Sequence, residues 1–187
     1  EAIMRKRWLR ILAAMTVLTT TAVIAETASA AAFYYERQNS TINGRIKYSA
    51  NSGTIVSPWY RAGSGNGGTN QCAWGNWIPT GQHSIQGHWD NYNGSAIKGR
   101  VWWMVNIYCS GNWRTEMFVH SEETSSQGQD PNNEPFRWDG ASDYYSLGCV
   151  KVARLPVVGG YSDLGRLDTT YVHQSGGGAP GAVVVSP

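Results

Sequence analysis

Helix signals are almost absent from this chain, and so is an excess of charge. Only 15% of the 187 residues are Asp, Glu, Lys or Arg. The formal net charge of +2 belongs to the first thirty residues, which carry Arg5, Lys6, Arg7 and Arg10 against Glu1 and Glu26. With 15 basic and 13 acidic side chains in all, eleven of each sign remain beyond them. A chain without a basic surplus has no electrostatic footprint for nucleic acid, so that partner class is excluded. Metal-ligand spacings are also missing. His83, His88 and Asp90 lie close in sequence, but no HxH, HExxH or paired-cysteine pattern accompanies them, and neither a metal nor any other cofactor is expected. Gly63-Ser64-Gly65-Asn66-Gly67-Gly68 formally satisfies GxGxxG. No helix pattern follows it and no acidic residue stands in the expected strand, which reads as a hairpin or substrate-facing loop rather than a nucleotide site.

Residues 1–30 have the layout of a secretory signal peptide. A basic run behind Met4 leads into the apolar segment Ile11–Ala25, and Ala28-Ser29-Ala30 offers small residues to a peptidase. The apolar part is too short and too rich in threonine for a comfortable membrane span. Glu1-Ala2-Ile3, ahead of Met4, reads as upstream extension. Cleavage would leave residues 31–187, enough for one domain with a substantial core.

Cysteine is scarce: Cys72, Cys109 and Cys149. In an oxidising compartment two should pair and one should be left over. Cys149 sits in a small-residue turn, so Cys72 is expected to bridge Cys109, closing a loop worth roughly 3–4 kcal/mol by loop entropy. The alternative, Cys149 in a bridge, would leave the chain without a nucleophile.

What is present reads as β-structure. Segments at Arg45–Ser49, Thr54–Tyr60, His83–Gly87, Val101–Tyr108, Glu116–Val119 and Ala182–Val185 are short and rich in Val, Ile, Tyr and Trp. Gly, Asn, Ser and Pro clusters separate them. One short helix is expected near Leu155–Leu167. The fold class is therefore mainly β, a single-domain sandwich or partly closed barrel. Residues 121–142 are polar and acidic, and are expected to form a lid beside the site, with a solvated insertion as the alternative. The tryptophans, Trp74, Trp77 and Trp89 among them, are expected mostly in the core, with stacking on sugar rings as the alternative.

Ser146-Leu147-Gly148-Cys149-Val150-Lys151 carries the chemistry, together with His120 at the end of Met117-Phe118-Val119. Thiol-based acyl transfer needs a thiolate, and an imidazole must take the thiol proton or hold it as an ion pair. The order, histidine before Ser-x-Gly-Cys and an aliphatic residue, resembles the L,D-transpeptidase (YkuD-type) family. The Gly63–Gly67 stretch followed by Ile78-Pro79-Thr80-Gly81, and the closing Ala182–Val185 strand, are similar to segments of some divergent members. Three positions differ: Lys151 stands where arginine is usual, Ser121 where glycine is usual, and the spacing of 29 from His120 to Cys149 is longer.

That resemblance implies a domain of this type over 31–187, with Cys149 as nucleophile and His120 as base. N–H groups at Gly148 and Cys149, assisted by Ser146, would receive the oxyanion. Lys151, Trp138 and Tyr145 are the expected substrate-binding residues. It further implies a secreted or cell-wall-associated protein, expected to be a monomer, that acts on peptidoglycan stem peptides by transpeptidation or carboxypeptidase hydrolysis. A different class of reading is a secreted, aromatic-rich β module that binds cell-wall polysaccharide without catalysis.

Overall fold

The computed structural model describes residues 30–130, 132, 133, 141–152 and 162–187. The leader before residue 30 and the expected substrate residue Trp138 lie outside them. Eight strands close into a barrel in the order β1-β10-β4-β5-β8-β9-β3-β2. They are β1 (Ala32–Glu36), β2 (Gly44–Ser49), β3 (Tyr60–Ser64), β4 (Gly81–Asn93), β5 (Lys98–Met104), β8 (Phe118–His120), β9 (Val150–Val152) and β10 (Ala182–Ser186). Strands β6 (Ile107–Cys109) and β7 (Asn112–Arg114) make a separate hairpin. The architecture is a closed barrel rather than a sandwich.

Alternation of side chains builds the interior. Phe33 and Tyr35, Ile46 and Tyr48, Trp102 and Met104, Val150 and Val152, and Val183 and Val185 point inward from their strands and are buried together. Helix α1 (Asp163–Arg166), capped by Ser162 Oγ accepting from Gly165 N at 2.9 Å, runs on into a π-helical segment Leu167–Val172. Its Leu164, Leu167 and Val172 join the same core. The described part of the expected helix is α1 from Asp163, and residues 153–161, where the rest of that expectation falls, lie outside the described residues.

Three strand boundaries differ for local reasons. Thr54–Trp59 does not continue as a strand, because Pro58 has no N–H. The ladder there reduces to a bridge between Ser49 and Val56, and Ser57 Oγ accepts from Tyr48 N at 2.8 Å in place of a backbone carbonyl. The run Val101–Tyr108 breaks after Met104, where Val105 N turns aside to Ser84 O. Glu116 adopts a positive φ of 55°, so β8 starts at Phe118.

β8 and β9 are neighbours in the barrel and run parallel. Parallel neighbours require the chain to cross back to the starting end before the second strand can begin. The long interval between His120 and Cys149 is thus demanded by topology. Its opening residues are not a solvated lid: Ser121, Glu122 and Glu123 are all buried.

Candidate active site on the barrel wall

His120 ends β8 and Cys149 immediately precedes β9, with Val119 opposite Val150 and His120 opposite Lys151. Val119 and Val150 face the barrel core. The period of two then sends Phe118, His120, Cys149 and Lys151 to the outer face. There Cys149 packs with Val101 and Phe118 beneath Tyr92, Ile97 and Trp103. A cleft of about 300 Å³ opens over this face, lined by His120, Ser146, Cys149 and Lys151, with Trp74 and Tyr145 exposed at its rim. The two residues singled out by sequence therefore line one cleft.

They do not touch through a hydrogen bond. Cys149 Sγ donates to Glu116 O at 3.6 Å and accepts from Phe118 N at 3.4 Å. His120 Nδ1 donates to Ser121 O at 3.2 Å, an assignment in which the carbonyl fixes the proton on Nδ1 and leaves Nε2 with its lone pair. Burial pushes the Cys149 thiol up to about 11, against the opposing pull of the Phe118 N–H and the charges of Arg114 and Lys151. Burial, together with the Lys151 ammonium, pushes His120 down to about 3. Both groups are neutral at pH 7, so the resting site is a thiol beside a neutral imidazole and not a thiolate–imidazolium pair.

The turn that presents the sulfur is held by Ser146. Its Oγ donates to Cys149 O at 2.7 Å and accepts from Gly148 N at 3.1 Å and from Gly65 N at 3.0 Å. This corrects two expectations. The Ser146 hydroxyl is already committed to the turn, and the Gly148 N–H is bonded to it rather than aimed at an oxyanion. Ser146 is a positioning residue. The glycine-rich Gly63–Gly67 stretch serves the same turn: Ser146 N donates to Gly65 O, and Ser64 Oγ donates to Gly148 O at 3.1 Å. Gly148 itself sits at φ +113°, and a Cβ there would overlap the Arg114 guanidinium.

Arg114 is the residue that sequence reasoning missed. Its side chain is fully buried, yet its partners are main-chain carbonyls: Gln71 at 2.6 Å, Asn76 at 3.1 Å, Trp77 at 3.3 Å and Leu147 at 3.5 Å. The guanidinium thereby ties the 71–77 loop to the cysteine turn and leaves positive charge near the sulfur. Nothing in the sequence Asn112-Trp113-Arg114 marked it. The Cys72–Cys109 disulfide, with Cα atoms 5.0 Å apart, fastens the same loop to β6, and Cys149 is free.

Lys151 lines the cleft, but its ammonium is ion-paired with the buried Glu122 carboxylate rather than presented bare. Trp74 and Trp89 are exposed, not core, and Trp77 is half-buried with its Nε1 donating to Thr41 Oγ1 at 3.0 Å. His83 is remote from the cleft lining, its Nε2 bonded to Pro79 O at 2.7 Å. Among the described residues no helix is long and apolar enough to cross a membrane, and the disulfide is compatible with export. Compared with protein-family models, with curated proteins and with solved structures, the chain has no match.

Proposed function

We propose that this chain is an exported cysteine acyltransferase of the L,D-transpeptidase type, acting on peptidoglycan stem peptides. The observation that carries the reading is a free thiol, Cys149, directly before β9, sharing one cleft with the imidazole of His120 at the end of the neighbouring parallel strand β8.

A neutral pair calls for general-base chemistry, in which proton and nucleophile move together. His120 Nε2 takes the Sγ proton as sulfur bonds the substrate carbonyl carbon. The tetrahedral oxyanion is received by the Cys149 N–H, since that of Gly148 is engaged by Ser146. The C–N bond then breaks, and His120 returns the proton to the departing amine, leaving a thioester. An incoming amine, or water, attacks that carbonyl and gives its proton to His120. The sulfur leaves and recovers that proton as a thiol. Positive charge from Arg114 and Lys151 favours the sulfur whenever it carries negative charge. Glu122 beside Lys151 turns that corner of the cleft from a bare cation into a neutral pair, suited to an amide or ammonium group of a stem peptide better than to a lone carboxylate.

Intact-mass analysis after incubation with purified muropeptides tests this. The expected result is a mass increase on the native protein by one acyl group, absent from Cys149→Ala, with a shortened or cross-linked product. An adduct that persists in Cys149→Ala, or no adduct and no product from any muropeptide, overturns the reading. The non-catalytic polysaccharide module retains one supporting observation: Tyr108 and Trp113 stand 62% exposed on the β6–β7 hairpin with ring centroids 5.0 Å apart. It would be favoured by glycan-dependent tryptophan quenching in a protein whose thiol never forms an adduct.

A further inference from the structure

Outside the lining of the cysteine cleft, three side chains with metal-ligating atoms meet, and a fourth, His173, touches one of them. His88 and Asp90 lie on β4, Asp168 in the π-helical segment and His173 directly after it. Ligand atoms of His88, Asp90 and Asp168 all fall within 4.8 Å of one another. His88 Nε2 is 3.4 Å from Asp90 Oδ1, and His173 Nδ1 is 2.9 Å from Asp168 Oδ1. Ligands of a tetrahedral zinc ion, at about 2.0–2.2 Å from the metal, stand roughly 3.3 Å apart. The His88–Asp90 separation of 3.4 Å lies close to that value, and the His173–Asp168 separation of 2.9 Å is shorter.

One atom in the group has an unmet demand: His88 Nε2 is buried without a hydrogen bond. Asp168, only 2% exposed, has His173 Nδ1 at 2.9 Å from its Oδ1. Leaving a buried nitrogen like that of His88 unsatisfied is costly, and such groups in folded proteins call for a specific explanation. The ring of His88 is fixed by stacking on Trp102, centroids 4.3 Å apart at 15°, so its nitrogen is presented rather than free to turn away. Arg100 Nε is 3.5 Å from Asp168 Oδ2, but its charge is shared with Glu123, 3.4 Å from Nη1. Two carboxylates and imidazole nitrogens are a donor set that a divalent cation accepts. The donor set is nitrogen and oxygen only, which suits a borderline transition metal better than calcium or magnesium. π-Helical turns are themselves frequent at functional sites.

We propose that His88, Asp90, Asp168 and His173 form a binding site for a divalent transition metal of the zinc class, clamping the C-terminal helical segment onto β4. This site is separate from the cysteine cleft and does not depend on acyl transfer. The sequence hid it, because the tight run His83, His88, Asp90 suggested the wrong trio. His83 is bonded elsewhere, and the missing ligands come from the distant C-terminal segment.

The test uses the full chain carrying Cys149→Ser, so that the thiol cannot contribute, titrated with Co²⁺ and separately with Zn²⁺. Expected are visible d–d bands without a sulfur charge-transfer band, and a Tm rise of about 5–10 °C when Zn²⁺ is near a hundredfold over Kd. His88→Gln and Asp90→Asn should each weaken Co²⁺ binding at least roughly tenfold, since each removes one ligand. Asp90 is half exposed, so its variant keeps the fold and the experiment decides even if His88→Gln does not. Loss of binding in either variant supports the site. Unchanged Co²⁺ spectra and Zn²⁺ stabilisation in both variants, or no Co²⁺ binding to the parent at millimolar metal, overturn it.

Discussion

Removing the Cys72–Cys109 bridge should act on stability and on the cysteine site together. The two half-cystines are 37 residues apart in sequence. In the chain-entropy treatment, a loop of about that length removes roughly 13 cal/mol/K from the unfolded ensemble, or about 4 kcal/mol at 25 °C. For a domain of this size that corresponds to a fall in Tm of roughly 8–16 °C. The local effect follows from what the bridge joins. Gln71, next to Cys72, supplies the shortest of the Arg114 carbonyl contacts, and Arg114 lies on β7, the strand paired with the one that holds Cys109. Freeing the 71–77 loop therefore loosens the guanidinium that underlies Gly148. In Cys72→Ala/Cys109→Ala, urea unfolding should lose about 4 kcal/mol, and alkylation of Cys149, only 6% exposed in the native fold, should quicken severalfold under native conditions. A double variant whose Tm stays within about 3 °C of the parent refutes the loop argument. Lost stability with an unchanged alkylation rate refutes the link to the site.

Because burial holds the Cys149 thiol near 11, iodoacetamide labelling should keep rising with pH beyond 9 instead of levelling off above the ordinary thiol range; a plateau near pH 8.5 contradicts the neutral resting site. His120, depressed to about 3 from an unfolded value near 6.5, binds a proton in the unfolded chain before it does in the fold. It should therefore cost stability as pH falls from about 6.5 toward 3, by up to about 1.4 kcal/mol per pH unit, and His120→Asn should flatten that part of the profile measured by urea melts. Gly148→Ala should destabilise by more than about 3 kcal/mol, since the added methyl meets both a left-handed backbone and Arg114; a fold as stable as the parent would place the guanidinium elsewhere.

Much of the site was legible because Ser-x-Gly-Cys and a strand-terminal histidine are local patterns, and the free cysteine followed from parity among three. The strand class was legible from β-branched and aromatic runs, although Pro58 and the positive φ of Glu116 moved their boundaries. What could not be read were contacts made across the barrel. Ser146 looked like an oxyanion helper, and only the approach of Gly65 shows that its hydroxyl is occupied. Glu122 and Glu123 looked like lid charges, yet they pair with Lys151 and Arg100 inside the wall. Arg114 carried no signal at all, since its partners are backbone carbonyls that any residue would supply.

The position of β10 in the barrel has a consequence for how the protein must be made. The last strand inserts between β1 and β4, pairing with both. Until residues 182–186 have emerged, two rows of amide and carbonyl groups stay open to any passing strand. A chain lacking residues 182–186 cannot seal the gap between β1 and β4, so barrel closure waits on that segment.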